Sequence, residues 1–366
     1  MPARRVSPWS LALLIICAIG LWWFFPREDS RVWRFSPDVS LPGGNSVARS
    51  IVFSPDGRAV AVLAVTLPAA NSRGVRGKGA RQRRLEVQLW SLLSHQRQTT
   101  LVISDADLPR VTSKPEMNFS RDGRNLRLWG AGTTTWDVAT GARLSAAPYS
   151  SPSSLPWNAV NAASPHPPWA GNRQLEINYR RNAFSGDGLW CAAVVLNSST
   201  IFSGQSVIFW RRATSGKPWQ SAGTIPVTTL HDRIISDLAF NHDGKLLAVS
   251  LDNGSLQLFE TAHLRLWKSL PSSNWIINVA FSPDDRYLLG CGGSDVRQAY
   301  SRRGGVLNFW NVSSGILEHT VTAPRLLRDP VFSPDGKWIA AIEGDATVFV
   351  CPSPLTSKRR SKAGAN

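Results

Sequence analysis

The chain has 366 residues and carries 41 basic against 25 acidic side chains, a formal net charge of +16. With 18% charged and 43% apolar residues it is not a disordered polyampholyte, and 4 cysteines exclude a small disulfide scaffold. Its 16 tryptophans, 28 glycines and 24 prolines against only 2 methionines argue for many turns between packed aromatics, not for a helical bundle.

Residues 1–7 form a short basic tail containing Arg4 and Arg5. An uncharged apolar run of 18 residues follows, Pro8–Phe25. As a helix at ~1.5 Å per residue it extends about 27 Å, close to a hydrocarbon core of about 30 Å. Trp22 and Trp23 close the run, where amphipathic rings favour the membrane interface. No small-x-small cleavage site precedes Pro26, and Ile15 and Ile16 before Cys17 do not suit a lipoprotein signal. The expectation is an uncleaved single-pass membrane anchor over 8–25. The flanking positive charges tie: Arg4, Arg5 and the terminal amine on one side, Arg27, Arg31 and Arg34 on the other. A short tail before a signal anchor usually stays inside, which puts the following domain outside the cytoplasm.

Beyond the anchor a short phrase recurs six times: FSPDG at Phe53–Gly57, FSRDG at Phe119–Gly123, FSGDG at Phe184–Gly188, FNHDG at Phe240–Gly244, FSPDD at Phe281–Asp285 and FSPDG at Phe332–Gly336. Each lies between two short apolar runs, as in VFSPDGRAVAVLAV. Asp-Gly is hairpin chemistry, because Gly tolerates positive φ and Asp hydrogen-bonds its own local backbone. The turn aspartates are Asp56, Asp122, Asp187, Asp243, Asp284 and Asp335. The Phe ends the incoming strand on a face expected to be buried. Asp285 replaces the Gly once, at a position where Asp tolerates a left-handed backbone. A third run with an aromatic near its end follows each hairpin: Trp90, Trp136, Trp210, Phe259, Trp310 and Phe349. A fourth follows in most units, for example GARLSAAP. Sequential four-stranded units of this size predict an all-β propeller.

The phrases WDVATGARL (Trp136–Leu144) and FWNVSSGILEHTV (Phe309–Val321), with the F-S-x-D-G hairpins, resemble WD40 repeats over about residues 30–352. The resemblance implies a blade-linking role for His231, nine residues before Phe240, and a structural role for Asp252 in its Asp-Asn-Gly turn. Phe259 stands where the family has Trp, so the family's His–Ser–Asp–Trp network is incomplete in that unit, and most other units lack the His.

Six hairpins predict six blades. The excess length falls in inserts at 67–84, 148–174 and 294–304, and seven blades remain the alternative if 148–174 holds a degenerate unit. The last unit has three strands, and Arg31–Phe35 (RVWRF) is the candidate for its missing outer strand, which would join the two ends of the ring. Residues 353–366 read as a basic flexible tail.

Positive charge is concentrated in two places. Arg73, Arg76, Lys78, Arg81, Arg83 and Arg84 crowd the first insert, and Lys358–Lys362 (KRRSK) the tail. The glycines of Arg73–Arg84 fit a solvated loop, and its charge suits an anionic lipid, polymer or protein surface. Nucleic acid is a poor candidate if the domain lies outside the cytoplasm. The histidines are scattered and never at metal-ligand spacing, GCGGSD lacks the strand–turn–helix setting of a nucleophile elbow, and no phosphate loop is present. Cys191, Cys291 and Cys351 lie on predicted strands and read as buried small hydrophobes. The expectation is a non-catalytic, membrane-anchored scaffold that binds protein partners without a cofactor. Polyanion binding through residues 73–84 is the alternative, and a propeller hydrolase with a channel-lined site is a lesser one.

Overall fold

The computed structural model describes residues 32–35, 45–67, 84–103, 116–129, 132–148, 176–196, 205–214, 217, 219–226, 234–270, 272–294, 303–344 and 346–356. They form six four-stranded antiparallel sheets. The first contains β2 (Asn45–Phe53), β3 (Ala59–Leu67), β4 (Arg84–Ser91) and β5 (Arg97–Ile103). The second contains β6 (Glu116–Phe119), β7 (Asn125–Trp129), β8 (Gly132–Asp137) and β9 (Arg143–Pro148). The third contains β10 (Glu176–Phe184), β11 (Trp190–Leu196), β12 (Gln205–Arg211) and β13 (Gln220–Pro226). The fourth contains β14 (Ile235–Phe240), β15 (Leu246–Leu251), β16 (Leu256–Glu260) and β17 (Arg265–Leu270). The fifth contains β18 (Trp275–Phe281), β19 (Tyr287–Gly293), β20 (Arg303–Asn311) and β21 (Leu317–Arg325).

The sixth sheet is completed from the far end of the chain, as expected from RVWRF. Its order is β1 (Trp33–Phe35), β24 (Thr347–Pro352), β23 (Trp338–Glu343) and β22 (Leu327–Phe332). Trp33 pairs with Val350 and Phe35 with Val348. Arg34 Nε donates to Glu343 Oε2 at 2.8 Å, and the Arg34 guanidinium lies 5.2 Å from the Phe349 ring centroid. Trp33 also stacks on His95 and Phe35 packs on Trp90, so β1 grips the first sheet as well as its own.

Each F-S-x-D-G phrase forms the turn from the first to the second strand of its sheet. Ser54 Oγ accepts the Ala59 N–H and donates to Asp56 Oδ1, which also accepts the Arg58 N–H. The same pattern recurs at Ser120–Asp122, Ser185–Asp187, Ser282–Asp284 and Ser333–Asp335. Asn241 replaces the Ser once and donates from Nδ2 to Asp243. The turn glycines have φ near +70°, and Asp285 takes φ +56° in the same place. The turn is thus built from short polar side chains that satisfy the backbone locally, which leaves the flanking strands free to bury apolar groups.

The strands pack by a repeating rule. The residue three after the turn glycine (Val60, Leu126, Cys191, Leu247, Leu288, and Ile339) lies in a cluster on the side of the preceding sheet, and the next residue on the side of the following one. The phrase Phe and the third-strand aromatic also face backward. Five junctions therefore hold a core cluster shared by two sheets: first with second, third with fourth, fourth with fifth, fifth with sixth, and sixth with first. Successive packing runs from the third sheet through the sixth to the first and second, so the two ends of the chain meet within it.

The junction of the second and third sheets departs from the rule. At the positions facing forward, the other sheets carry apolar residues such as Val52, Ala61 and Leu89 in the first. The second sheet carries Asn118, Arg127 and Thr135, of which Asn118 and Arg127 are exposed. Opposite it, Cys191, Ala193, Ile208, Trp210 and Trp219 of the third sheet form a cluster that no described apolar residue of the second sheet joins. Phe184, expected to be buried with the other phrase phenylalanines, is 39% exposed at this junction, where no apolar cluster is shared. One further expectation is corrected in the last unit. Cys351, not Phe349, pairs with Ile339 in the place of the strand-end aromatic, because Phe349 sits two residues earlier on the same face.

The predicted anchor at 8–25, most of the insert at 67–84, and 149–174 with its possible seventh unit lie outside the described residues, as does the tail from 357. Among the described residues no helix is long and apolar enough to cross a membrane.

Candidate interaction surface

Antiparallel order gives the assembly two chemically different ends. First-to-second and third-to-fourth strand turns share one end. Second-to-third connections and the links between sheets share the other. Most long connections leave and re-enter at this second, loop end: 67 to 84, 103 to 116, 148 to 176, 196 to 205, 226 to 235 and 293 to 303; the connection from Arg211 to Gln220 is the exception and lies at the turn end. The turn end is tight, and successive hairpins touch there. The Cβ position of Gly123 would lie 3.5 Å from Pro55, and that of Gly336 3.8 Å from Pro283.

All six turn aspartates sit at the turn end and do the same local work. The Ser54 hydroxyl on its carboxylate holds Asp56 below the usual carboxylate range, against the opposing effect of burial, and Ser120 lowers Asp122 likewise. At Asp243 and Asp335 burial is the largest influence and pushes upward. It is outweighed by Lys245 and Lys337 together with the turn hydrogen bonds, so both are held down. Each ammonium lies 2.8 Å from its carboxylate. These aspartates hold the backbone of their own turns.

Asp285 is an exception that the sequence analysis noted only as a tolerated turn residue. Its carboxylate accepts the His242 N–H at 3.0 Å and lies 2.7 Å from His242 Nδ1, joining the fourth and fifth hairpins. The signal was available in the repeat itself: Pro55, Pro283 and Pro334 hold the slot that His242 takes in the one hairpin facing an Asp instead of a Gly. A basic residue after the turn was also missed. Arg58, Arg124, Lys245, Arg286 and Lys337 follow five of the six phrases, and all are exposed.

The candidate tryptophans serve the core. Trp210 and Trp310 are 2% and 1% exposed, Trp136 is buried, and Trp90 is half-buried against Phe35. Asp252 lies in the β15–β16 turn. Its Oδ1 and the neighbouring Ser250 Oγ are buried without a hydrogen-bond partner. His231 lies outside the described residues. Of the basic cluster, Arg73, Arg76, Lys78, Arg81 and Arg83 also lie outside them, and Arg84 begins β4 at the loop end.

On the inner strands, Asp237 Oδ2 accepts from Asn278 Nδ2 and from the Val279 N–H, each at 3.1 Å, and Asn278 Oδ1 accepts the Asp329 N–H at 3.0 Å. This relay ties three consecutive sheets together. Among the described residues no group of three His, Cys, Asp or Glu side chains could hold a metal ion. Cys191, Cys291 and Cys351 are buried, as the strand pattern predicted, and burial pushes the Cys191 thiol far above its usual range.

Residues 200–284 match the family model described as the anaphase-promoting complex subunit 4 WD40 domain. No curated protein matches the chain. The matched segment runs from the third sheet through the fourth into the fifth hairpin, the stretch that contains Asp252 and the Asn241-type turn. The recurring hairpin phrase, the six four-stranded sheets and this match over residues 200–284 support a WD40-repeat family.

Proposed function

We propose that this protein is a non-catalytic scaffold: a six-bladed WD40-like propeller, held at a membrane by residues 8–25, that binds protein partners through its loop end. One observation carries the choice of surface. The turn end is built mostly from short turns whose aspartates are occupied by their own serines and backbone, whereas the long connections, all but Arg211 to Gln220, open at the other end. Loops on a rigid frame are where specificity is most freely varied. The matched family takes its name from a subunit of a multi-protein complex, which supports protein partners over small-molecule turnover. The test compares two panels of surface substitutions in the full chain, gently extracted in detergent. Loop-end changes are expected to abolish co-purification of a stoichiometric partner, and turn-end changes to leave it. Absence of any partner from the wild-type preparation would count against the scaffold.

A second reading is polyanion binding through Arg73, Arg76, Lys78, Arg81, Arg83 and Arg84. It is favoured by a connection that begins at Leu67 and returns at Arg84, both at the loop end. Each basic side chain near an anionic surface contributes on the order of 1 kcal/mol, lost as salt rises. Changing the six to Gln is expected to weaken binding to an anionic polymer and flatten its salt dependence. Equal binding by both forms would remove the idea.

A further inference from the structure

We infer that the first and second sheets hold between them, at the turn end, a docking pocket for a large apolar side chain carried by an extended segment of a partner protein. This goes beyond the loop-end reading and does not rest on it: the two surfaces lie at opposite ends of the sheets and take separate ligands.

A cavity of about 590 Å³ opens between the two sheets, within the range of about 300–1,000 Å³ usual for ligand sites. Pro55 and Leu89 of the first sheet and Phe119 and Val138 of the second line it. Leu93, in the β4–β5 turn, also lines it and is 83% exposed. Phe119 and Val138 are half-buried, whereas Phe53, Phe281 and Val312, which hold the same places in other sheets, are buried.

Strand register explains why this space is open. On the outer strand of each sheet one residue lies opposite the residue before the third-strand aromatic, or before Cys351 in the sixth sheet, and faces the following sheet. In the fourth sheet it is Lys268, opposite Leu258. Its stem lies against Gly315 of the fifth sheet, where a Cβ would sit 2.8 Å from Lys268 Cδ, and its ammonium bonds the Ser313 carbonyl. In the fifth it is His319, opposite Phe309 and edge-on to that ring. In the sixth it is Trp33, opposite Val350, which stacks on His95 of the first sheet. In the third it is Gly223, opposite Phe209, and Leu264 of the fourth sheet fills the space instead: a Cβ on Gly223 would lie 2.6 Å from it. In the first sheet it is Thr99, opposite Leu89. Thr99 is too short to cross to the second sheet, and the cavity opens beside it.

The filled positions show what the open one accepts. A tryptophan, a leucine, a histidine ring and a lysine stem occupy them, so the complement of this site is a bulky, largely apolar side chain. Charge gives no preference for an ionic ligand. Arg58 and Arg121 line the cavity together with Asp56 and Asp122, two of each sign. An uncharged side chain suits that balance, because it enters over the apolar floor without burying an unpaired charge. The neighbouring strand edge selects a protein segment. Gln98, on β5, lines the cavity, and β5 is the outer strand of its sheet, bonded among the described strands to β4 alone. Its outward N–H and C=O groups offer a ladder to the main chain of an extended segment whose side chain drops into the pocket.

The test uses the full chain, kept soluble by an amphipathic polymer so that no free detergent competes for the cavity. A random peptide library is selected on the wild type and counter-selected on Thr99→Lys, which places a lysine where the fourth sheet has Lys268 and fills the cavity from within. Enriched peptides, synthesised with capped ends, are measured by fluorescence anisotropy. They are expected to share one Leu, Met, Phe or Trp, and binding should fall about 30-fold when that residue is changed to Ala or when Thr99→Lys replaces the wild type. Leu93→Asp, on the surface, should weaken binding likewise, and it serves for counter-selection if Thr99→Lys fails to fold. Ile316→Ser, which removes an exposed apolar side chain from the fifth sheet, should leave binding unchanged, as should a rise in salt. Failure to enrich any peptide against the filled form, equal binding by filled and open forms, or binding that follows peptide charge and fades with salt would overturn the inference.

Discussion

Asp285→Gly is expected to destabilise the protein even though it restores the residue that five other hairpins use. Asp285 holds φ +56°, a left-handed backbone that Gly takes at no steric cost. Replacing it relieves about 1 kcal/mol, at the low end for a residue whose side chain tolerates this region. The same change removes a carboxylate that accepts the His242 N–H at 3.0 Å and faces His242 Nδ1 at 2.7 Å. A hydrogen bond to a charged group is worth about 1.5–3 kcal/mol. Discounted for exposure, since the His242 side chain is 57% open, about 2 kcal/mol remains, and the net loss is about 1 kcal/mol. His242→Pro installs the residue found at 55, 283 and 334 and deletes the N–H donor as well as the ring. In that background Asp285→Gly loses only the long Asn241 Nδ2 contact of 3.4 Å and relieves the strain, so its effect reverses to a gain of up to about 1 kcal/mol. The assay is urea unfolding of the four forms, read as midpoint shifts at constant slope. If Asp285→Gly stabilises the wild type, or if the sign is the same in both backgrounds, the link between the fourth and fifth hairpins contributes nothing and the reasoning fails.

Removing Arg34 leaves Glu343, whose side chain is 4% exposed, with the Arg325 N–H as its one hydrogen-bond donor among the described residues; Arg34→Ala is expected to cost about 2–3 kcal/mol and to make the Trp33–Phe35 strand cleavable by protease, read by mass spectrometry. Deleting residues 1–31 should leave thermal unfolding unchanged, while deleting 1–35 should lower it and promote aggregation through the bared β24 edge, read by light scattering. The turn aspartates Asp56, Asp122, Asp243 and Asp335 are held below their ordinary range in the folded state, so their contribution is full above the unfolded value and disappears as pH falls through the folded one; the urea midpoint should be flat above about pH 5 and decline below roughly pH 4. Ser250→Ala should be neutral or stabilising, because the hydroxyl is buried without a partner; a loss of more than about 1 kcal/mol would instead mean that His231 bonds it, as the family resemblance implies.

Much of the architecture was legible because each repeat states its own turn. Six Asp-centred phrases gave six sheets, and the spare strand RVWRF found its partner in β24. Position within a repeat carried less far. The phrase Phe is buried or half-buried wherever the preceding sheet shares an apolar cluster with it, and Phe184 is exposed at the one junction where none is shared. The period-two pattern says that a residue faces a neighbour, but not what the neighbour brings. The same limit hid the His242–Asp285 pair. Its partners are 43 residues apart, and only the contact between successive hairpins brings them together. The candidate surface was hidden for a different reason. Nothing in a single strand tells which end of the ring it points to, and the strand order had to be known before the basic residues after the turns could be seen to share one end.

The polar junction bears on how the ring behaves as a whole. Where a sheet is held from both sides, local opening must break a shared core cluster, and five junctions have one. Deleting a large side chain there, such as Trp310, which is 1% exposed, should cost about 3–5 kcal/mol. Between the second and third sheets the described contacts offer no equivalent, and β6 and β10 do not approach as the other neighbouring inner strands do. Local stability follows buried apolar contact, so opening should begin at this junction. Hydrogen exchange provides the ranking. Amides of β6 and β7 should exchange well before those of β15, β19 and β23, whose side chains are almost wholly buried. Were β6 and β7 to exchange only with global unfolding, the polar wall at Asn118, Arg127 and Thr135 would have to be compensated by contacts as strong as an apolar core. The exposure of Asn118 and Arg127 argues against that, because burial is reciprocal and a wall pressed against its neighbour does not leave both residues open to water.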